Sequence, residues 1–324
     1  MNPFSVIYGA AVRSRNGLYR RGILKARRLS GRVISVGNIS VGGTGKTPFV
    51  ILLGGLLQER GIPFDVLSRG YGRKTRGVLA VDPNGSPRDF GDEPILIAKR
   101  LGCPVIVGEN RYQAGLFAER KFGPQVHILD DGFQHRSLAR DFDIVLVAQE
   151  DVRDQMLPAG RLREPSSSLR RADAVVVAAE SNYSAGEWDM QALDKQALDK
   201  QAIWRVRRRV SPPDTPSRPV AFCGIARPQQ FIEQLRAAGA DPVATKFYRD
   251  HHSYTQKDVL ALTALRKQNR ATGFVTTEKD AVNLGALLTA LEPVAIARVV
   301  MELLEPADAL DTILRVTQER RPSP

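Results

Sequence analysis

Residues 32–48, RVISVGNISVGGTGKTP, constrain this chain more than any other stretch: an apolar run, Val33-Ile34-Ser35-Val36, enters a glycine-rich turn that closes on Gly45-Lys46-Thr47. The order is strand, phosphate loop, helix. A helix starting at about Lys46 leaves its first N–H groups unpaired and its positive end toward the loop, so an anion is expected there. Ser40, Val41, Gly42, Gly43, Thr44, Gly45, Lys46 and Thr47 are the expected ATP-binding residues. Lys46 would reach the β- and γ-phosphates and Thr47 would offer its hydroxyl to Mg²⁺. The strict pattern asks for glycine where this chain has Ser40. Its other fixed positions hold, and Val50, Leu53, Leu56 and Leu57 continue with helical spacing.

Such a loop sits in an alternating α/β chain, and the rest of the sequence alternates accordingly. Strands are expected at 64–67, 78–81, 105–107, 126–130, 144–147 and 174–178, with helices between several of them. This is the pattern of a doubly wound parallel sheet. Asp130 and Asp131 end one of these strands. A carboxylate in that place after a phosphate loop holds Mg²⁺, so Asp130 is the first choice and Asp131 the second, alongside Thr47. His127, inside the strand, reads as a packed residue. The loop 68–74, SRGYGRK, is basic and leaves a strand end, where ligands collect in open parallel sheets. Asp92 opens a helix, where an N-cap role is sufficient reason for an aspartate.

A polar stretch at about 181–201 contains the duplication QALDK-QALDK, an exposed, tolerant segment. Residues 211–219 have the composition of a linker. The expected division is therefore 33–210 as a phosphate-loop domain and 220–324 as a second, smaller α/β domain ending in a helix and a strand. Asp250-His251-His252 and Thr276 to Asp280 fall between elements of the second. No cysteine or carboxylate cluster accompanies the histidines at metal spacing. They read as polar surface or catalytic support.

The net charge is +12, and residues 1–32 hold eight cations with no Asp or Glu. Phe4, Ile7, Tyr8, Ala11 and Leu18 share one helical face, while Arg13, Arg20 and Arg27 recur every seven residues on another. This is the pattern of a basic amphipathic helix at an anionic membrane surface, against the plainer reading of a packed helix with solvated arginines. Gly17 and Gly22 argue against one long helix. The two cysteines, Cys103 and Cys223, form no metal or disulfide pattern, and no stretch approaches the length of a membrane span.

Seven stretches in order, SVGNISVGGTGKTP, SRGYGR, GDEP, DDGFQH, LPAGRLREP, DHH and TTEKD, together resemble the tetraacyldisaccharide 4′-kinase family, from about residue 16 to 284. The resemblance implies a phosphate-loop kinase that uses ATP and Mg²⁺ on the 4′-hydroxyl of the lipid A disaccharide 1-phosphate. It would work as a peripheral protein at the cytoplasmic face of the bacterial inner membrane. The expected partners are that lipid and the anionic membrane surface, with no nucleic acid and no second copy. The resemblance also pairs Asp92 with His251 by the D-H match, leaving His252 open. In that pairing Asp92 accepts the hydroxyl proton and His251 orients it, with Lys46 completing the catalytic set. Arg69, Arg111 and Arg163 are the expected clamp for the acceptor phosphate. Two other classes compete: a phosphate-loop ATPase on nucleic acid, suggested by the charge, and a nucleotide-dependent membrane switch without an acceptor.

Overall fold

The computed structural model of the protein describes residues 2–123, 125–178, 201–211 and 214–321. The duplication at 191–200 lies outside the described residues. Helix α1 (Pro3–Arg20) leads to strand β1 (Val33–Asn38), helix α2 (Lys46–Glu59), β2 (Phe64–Ser68), the two-residue β3 (Leu79–Ala80) and the short α3 (Pro87–Phe90). Next come α4 (Asp92–Leu101), β4 (Val105–Val107), α5 (Arg111–Phe122), β5 (Val126–Asp130), β6 (Phe142–Val147), β7 (Ala174–Ala178) and β8 (Ala202–Ser211). The second part holds β9 (Pro219–Cys223), α6 (Pro228–Ala237), β10 (Ala244–Phe247), α7 (Gln256–Gln268), β11 (Gly273–Thr277), α8 (Glu278–Leu284), β12 (Val294–Leu303) and α9 (Pro306–Arg320).

Among the described residues the strands form one sheet in the order β10-β9-β11-β12-β8-β7-β6-β1-β5-β2-β4-β3. Pairing is parallel except for β3 on β4 and β12 on β8. The central strands β1, β5 and β6 are buried along their whole length, which explains their unbroken apolar runs: helices cover both faces. β8 and β12, ten residues each, pair from Val206↔Leu303 to Ser211↔Arg298 and so join the two parts of the chain into one sheet.

The chain continues past β12 into α9, beyond the closing strand expected from the sequence. Leu310 and Ile313 of α9 pack in the same cluster as Ile34, Val50, Leu53 and Ile144. A separate cluster, with Phe222, Tyr254, Leu262 and Phe274, fills the second part.

Helix α1 runs through Gly17 and ends at Arg20, just before Gly22 in the left-handed region. Its docked side is small and polar, with Ser5 and Gly9 buried, whereas Phe4 and Ile7 are 68% and 66% exposed. The apolar face expected from the sequence is thus divided: Tyr8 and Leu18 are partly covered, and Phe4, Ile7 and Ala11 face solvent. No helix among the described residues is long and apolar enough to cross a membrane.

Candidate active site

The turn between β1 and α2 is built for a polyanion. Gly42 and Gly45 have φ of 110° and 89°, a region favoured by glycine, and Gly45 is the N-cap of α2. The loop is braced from three directions. Asn38 donates to the Thr44 hydroxyl at 2.8 Å, Val41 N–H donates to Arg161 O at 2.8 Å, and a Cβ on Gly45 would lie 2.5 Å from Met301 Cε. The Ser40 hydroxyl is buried without a hydrogen-bond partner, which explains how serine replaces the expected glycine: it fits inside the fold behind the loop.

Because β5 lies beside β1 with Val36 opposite Asp130, the acids arrive next to this loop. Asp130 is buried and accepts from Ser68 Oγ at 2.9 Å. Burial, then the charges of Glu93 and Asp131, push its carboxyl up to about 7, against the pull of Ser68 and Lys46. Asp131 follows with φ 50° and sits 3.5 Å from Lys46 Nζ. Burial would raise its carboxyl, yet a two-toothed hydrogen bond from Arg163, at 2.8 and 3.0 Å, and the Lys46 charge hold it far below the usual range. The donor set fits a nucleoside triphosphate with Mg²⁺. A hydroxyl (Thr47) and a buried carboxylate (Asp130) are the hard oxygen ligands Mg²⁺ takes alongside phosphates.

The three arginines expected to clamp the acceptor phosphate occupy different settings. Arg163 is committed to Asp131 and to the Asn38 side chain. Arg111 is buried and donates to the Gly108 and Glu109 carbonyls, and burial lowers its guanidinium to about 10. Arg69 is exposed. Arg73 of the same loop pairs with Glu109 at 2.7 Å.

Asp92 is the first residue of α4, behind the N-cap Gly91. Its carboxylate is 4% exposed, and it is not the N-cap that the sequence suggested, since Gly91 holds that place. One oxygen accepts Glu93 N–H at 2.9 Å, the other accepts Asn283 Nδ2 at 2.9 Å, and His251 Nδ1 lies 3.1 and 3.0 Å from the two. Burial opposes the charge, but His251, Lys279 and Asn283 prevail and lower its carboxyl. His252 points elsewhere: it stacks on Tyr248 at 4.5 Å and approaches Asp258 at 3.3 Å. The backbone of His251 is left-handed, φ 56°, a strained state that persists where surroundings impose it. Here its N–H donates to Gly224 O and to the Asp250 side chain. Burial disfavours the imidazolium, but the Asp92 hydrogen bond and charge raise its proton affinity above the ordinary histidine value.

Sequence reasoning missed the groups that link these two centres. Lys279 and Asn283 lie four apart on one face of α8, which packs on α4. Lys279 Nζ is 3.1 Å from His251 Nε2 and 3.3 Å from both Glu93 and Asp250. Glu93 in turn acts on Asp130. Lys279 lies in the TTEKD stretch already singled out, but only the apposition of α8 and α4 reveals its role.

The chain matches the family model described as tetraacyldisaccharide-1-P 4′-kinase over residues 1–318. It is 47% identical over 331 aligned positions to the tetraacyldisaccharide 4′-kinase of Koribacter versatilis, covering 99% of this chain and all of that one. It is 39% identical to the Geobacter metallireducens enzyme of that name, covering 96% of each chain. A solved structure of LpxK from Aquifex aeolicus in complex with ATP superposes with a TM-score of 0.77 at 33% identity, over 97% of this chain and 98% of that one.

Proposed function

Because this chain belongs to the tetraacyldisaccharide 4′-kinase family and is therefore an ATP-dependent kinase acting on the 4′-hydroxyl of tetraacyldisaccharide 1-phosphate, we propose how its residues divide that reaction. The observation that carries the reading is the Asp92–His251 contact at 3.0 Å, whose partners come from the two parts of the chain. Asp92 is buried, saturated with donors and held acidic, which makes it a poor proton acceptor. His251 is 22% exposed, and Asp92 has raised its proton affinity. The roles expected from the sequence are therefore exchanged: His251 Nε2 takes the hydroxyl proton late in the transfer, and Asp92 orients and steadies the imidazolium.

The phosphate loop and Lys46 hold the triphosphate, and Thr47 with Asp130 hold Mg²⁺, which neutralises charge on the transferred group when bound. Asp131, fixed by Arg163, keeps Lys46 aimed along the loop. Arg111 acts on this centre through its charge, which is felt by Asp130 and Asp131. Since His251 and Lys279 belong to the second part and the phosphate loop to the first, movement about the β8–β12 pairing that joins the parts would open and close the site. The acceptor's own phosphate would meet Arg69 and the pair Arg15 and Arg136, which flank Tyr19 and which donate to Gln134 O and to Asn16. With Phe4 and Ile7 exposed on α1, the protein would dock peripherally on an anionic inner-membrane surface at its cytoplasmic face.

The test is transfer of labelled γ-phosphate from Mg-ATP to tetraacyldisaccharide 1-phosphate in mixed micelles. Lys46→Ala should abolish labelling, and His251→Asn should lower turnover by about 10²–10⁴-fold in a folded protein. Asp92→Asn should retain a weak activity whose acid limb lies at lower pH, because the imidazole has lost the anion that raised its proton affinity. A limb that disappears altogether in Asp92→Asn would return the base role to Asp92.

A further inference from the structure

Resting on the assignment of His251 as the proton acceptor, a further role follows from what occupies its other nitrogen. Nδ1 faces the Asp92 carboxylate, so Nδ1 carries the hydrogen and donates it. Nε2 lies 3.1 Å from the Lys279 ammonium, a group with donors only, so Nε2 accepts. An imidazolium would point an N–H at that ammonium. The remaining neighbours are Asp250, 3.9 Å from Nε2, and the Tyr71 ring, 5.0 Å away between centroids. Asp92 and Asp250 favour the cation and Lys279 opposes it. Lys279 itself is strongly held as a cation: burial works against its charge, and Glu93, Asp92 and Asp250 outweigh burial.

We propose that Lys279 is a positioning residue that selects the His251 tautomer with Nε2 free of hydrogen, opposes its protonation, and surrenders that nitrogen to the acceptor hydroxyl when substrate enters. The arrangement lets the ammonium leave without losing its partners, since Glu93 and Asp250 stand at 3.3 Å on either side. In the transfer the hydroxyl O–H bond breaks, its proton passes to Nε2, the oxygen bonds to the γ-phosphorus, and the bond to the β-phosphate oxygen breaks to release ADP. The imidazolium then lies between Asp92 and Asp250, and the ammonium has withdrawn to the carboxylates. Its return after product release would favour loss of the proton and reset the base.

The experiment compares the pH dependence of kcat for the full-length wild type, Lys279→Met, Lys279→Arg and His251→Asn in the micelle assay, with melting temperatures as a control. Lys279→Met should lose about 10–100-fold in kcat at neutral pH, the usual penalty for removing a group that orients a reacting side chain, with KM for ATP unchanged. Its acid limb should move upward by about one pH unit, since the charge that opposed protonation is gone, and activity should recover toward alkaline pH. Lys279→Arg should restore the limb. A uniform loss at every pH, or a limb that stays in place in Lys279→Met, overturns the proposal while leaving His251 as base. If His251→Asn keeps the wild-type limb, the underlying assignment of the base falls instead.

Discussion

At the scale of single residues, two histidines with raised proton affinity have opposite fates. His127, fully buried, meets carboxylates on both nitrogens: Asp65 at 2.9 Å on Nδ1 and Glu119 at 3.4 Å on Nε2. Burial disfavours its charge, and the two acids overcome that. Both carboxylates favour its charged form, whereas His251 has an acid on one side and an ammonium on the other and stays available for chemistry. A group whose folded pKa is raised gives stability that is fully present below its unfolded value and fades as pH rises through the folded one. His127→Gln should therefore cost about 3–5 kcal/mol in mildly acidic buffer, the usual loss on breaking a buried pair, and less in alkaline buffer, as read from denaturant unfolding at both. The sequence announced His127 as a packed residue inside a strand. Its partners were illegible because Asp65 reaches it across the sheet, in register on β2, and Glu119 comes from α5.

At the scale of elements, what was local was readable. The strand, loop and helix at 33–59, the acids at the end of β5 and the helix start at Asp92 rest on spacing along the chain, and each lies where spacing put it. Lys279, Asn283 and the Arg163–Asp131 clamp needed elements from distant parts of the sequence to meet, and spacing carries no trace of that. Helix α1 falls between: its periodicity showed two faces but not which one docks. The docked side hydrogen-bonds the site itself, Tyr8 to Arg163 O at 3.3 Å and Asn16 to Glu164 at 2.8 Å, leaving Phe4 and Ile7 outward. Burying each of those in lipid is worth about 1.5–3 kcal/mol, so Phe4→Asp with Ile7→Asp should weaken co-sedimentation with anionic vesicles at least about a hundredfold. ATP binding should be unchanged in the same variant. For the acceptor site, Arg136→Gln should raise KM for tetraacyldisaccharide 1-phosphate by about tenfold, the loss of one charge-assisted hydrogen bond, with KM for ATP unaffected.

At the scale of the whole molecule, the last thirty or so residues tie the two parts together. β12 leaves the second part, pairs with β8, and hands the chain to α9, whose Leu310 and Ile313 complete the core around α2. The composition of 211–219 pointed to a linker, but nothing in a terminal amphipathic helix states which core it will join. Leu310→Ala should cost about 2–5 kcal/mol, the range for a cavity in a packed interior, and should lower the unfolding midpoint of the phosphate-loop region along with the rest. Calorimetry that resolved a separate, unshifted transition for that region would contradict this. The packing of Met301 against Gly45 carries the point into the life of the chain. A ribosome builds proteins from the N-terminus, and early segments usually fold as they emerge. Here one side of the phosphate loop is closed by Met301 of β12, a strand made long after the loop itself. A chain interrupted before β12 would therefore carry the loop sequence without the side chain that packs against Gly45, so the seat for the triphosphate is completed after the loop that names it.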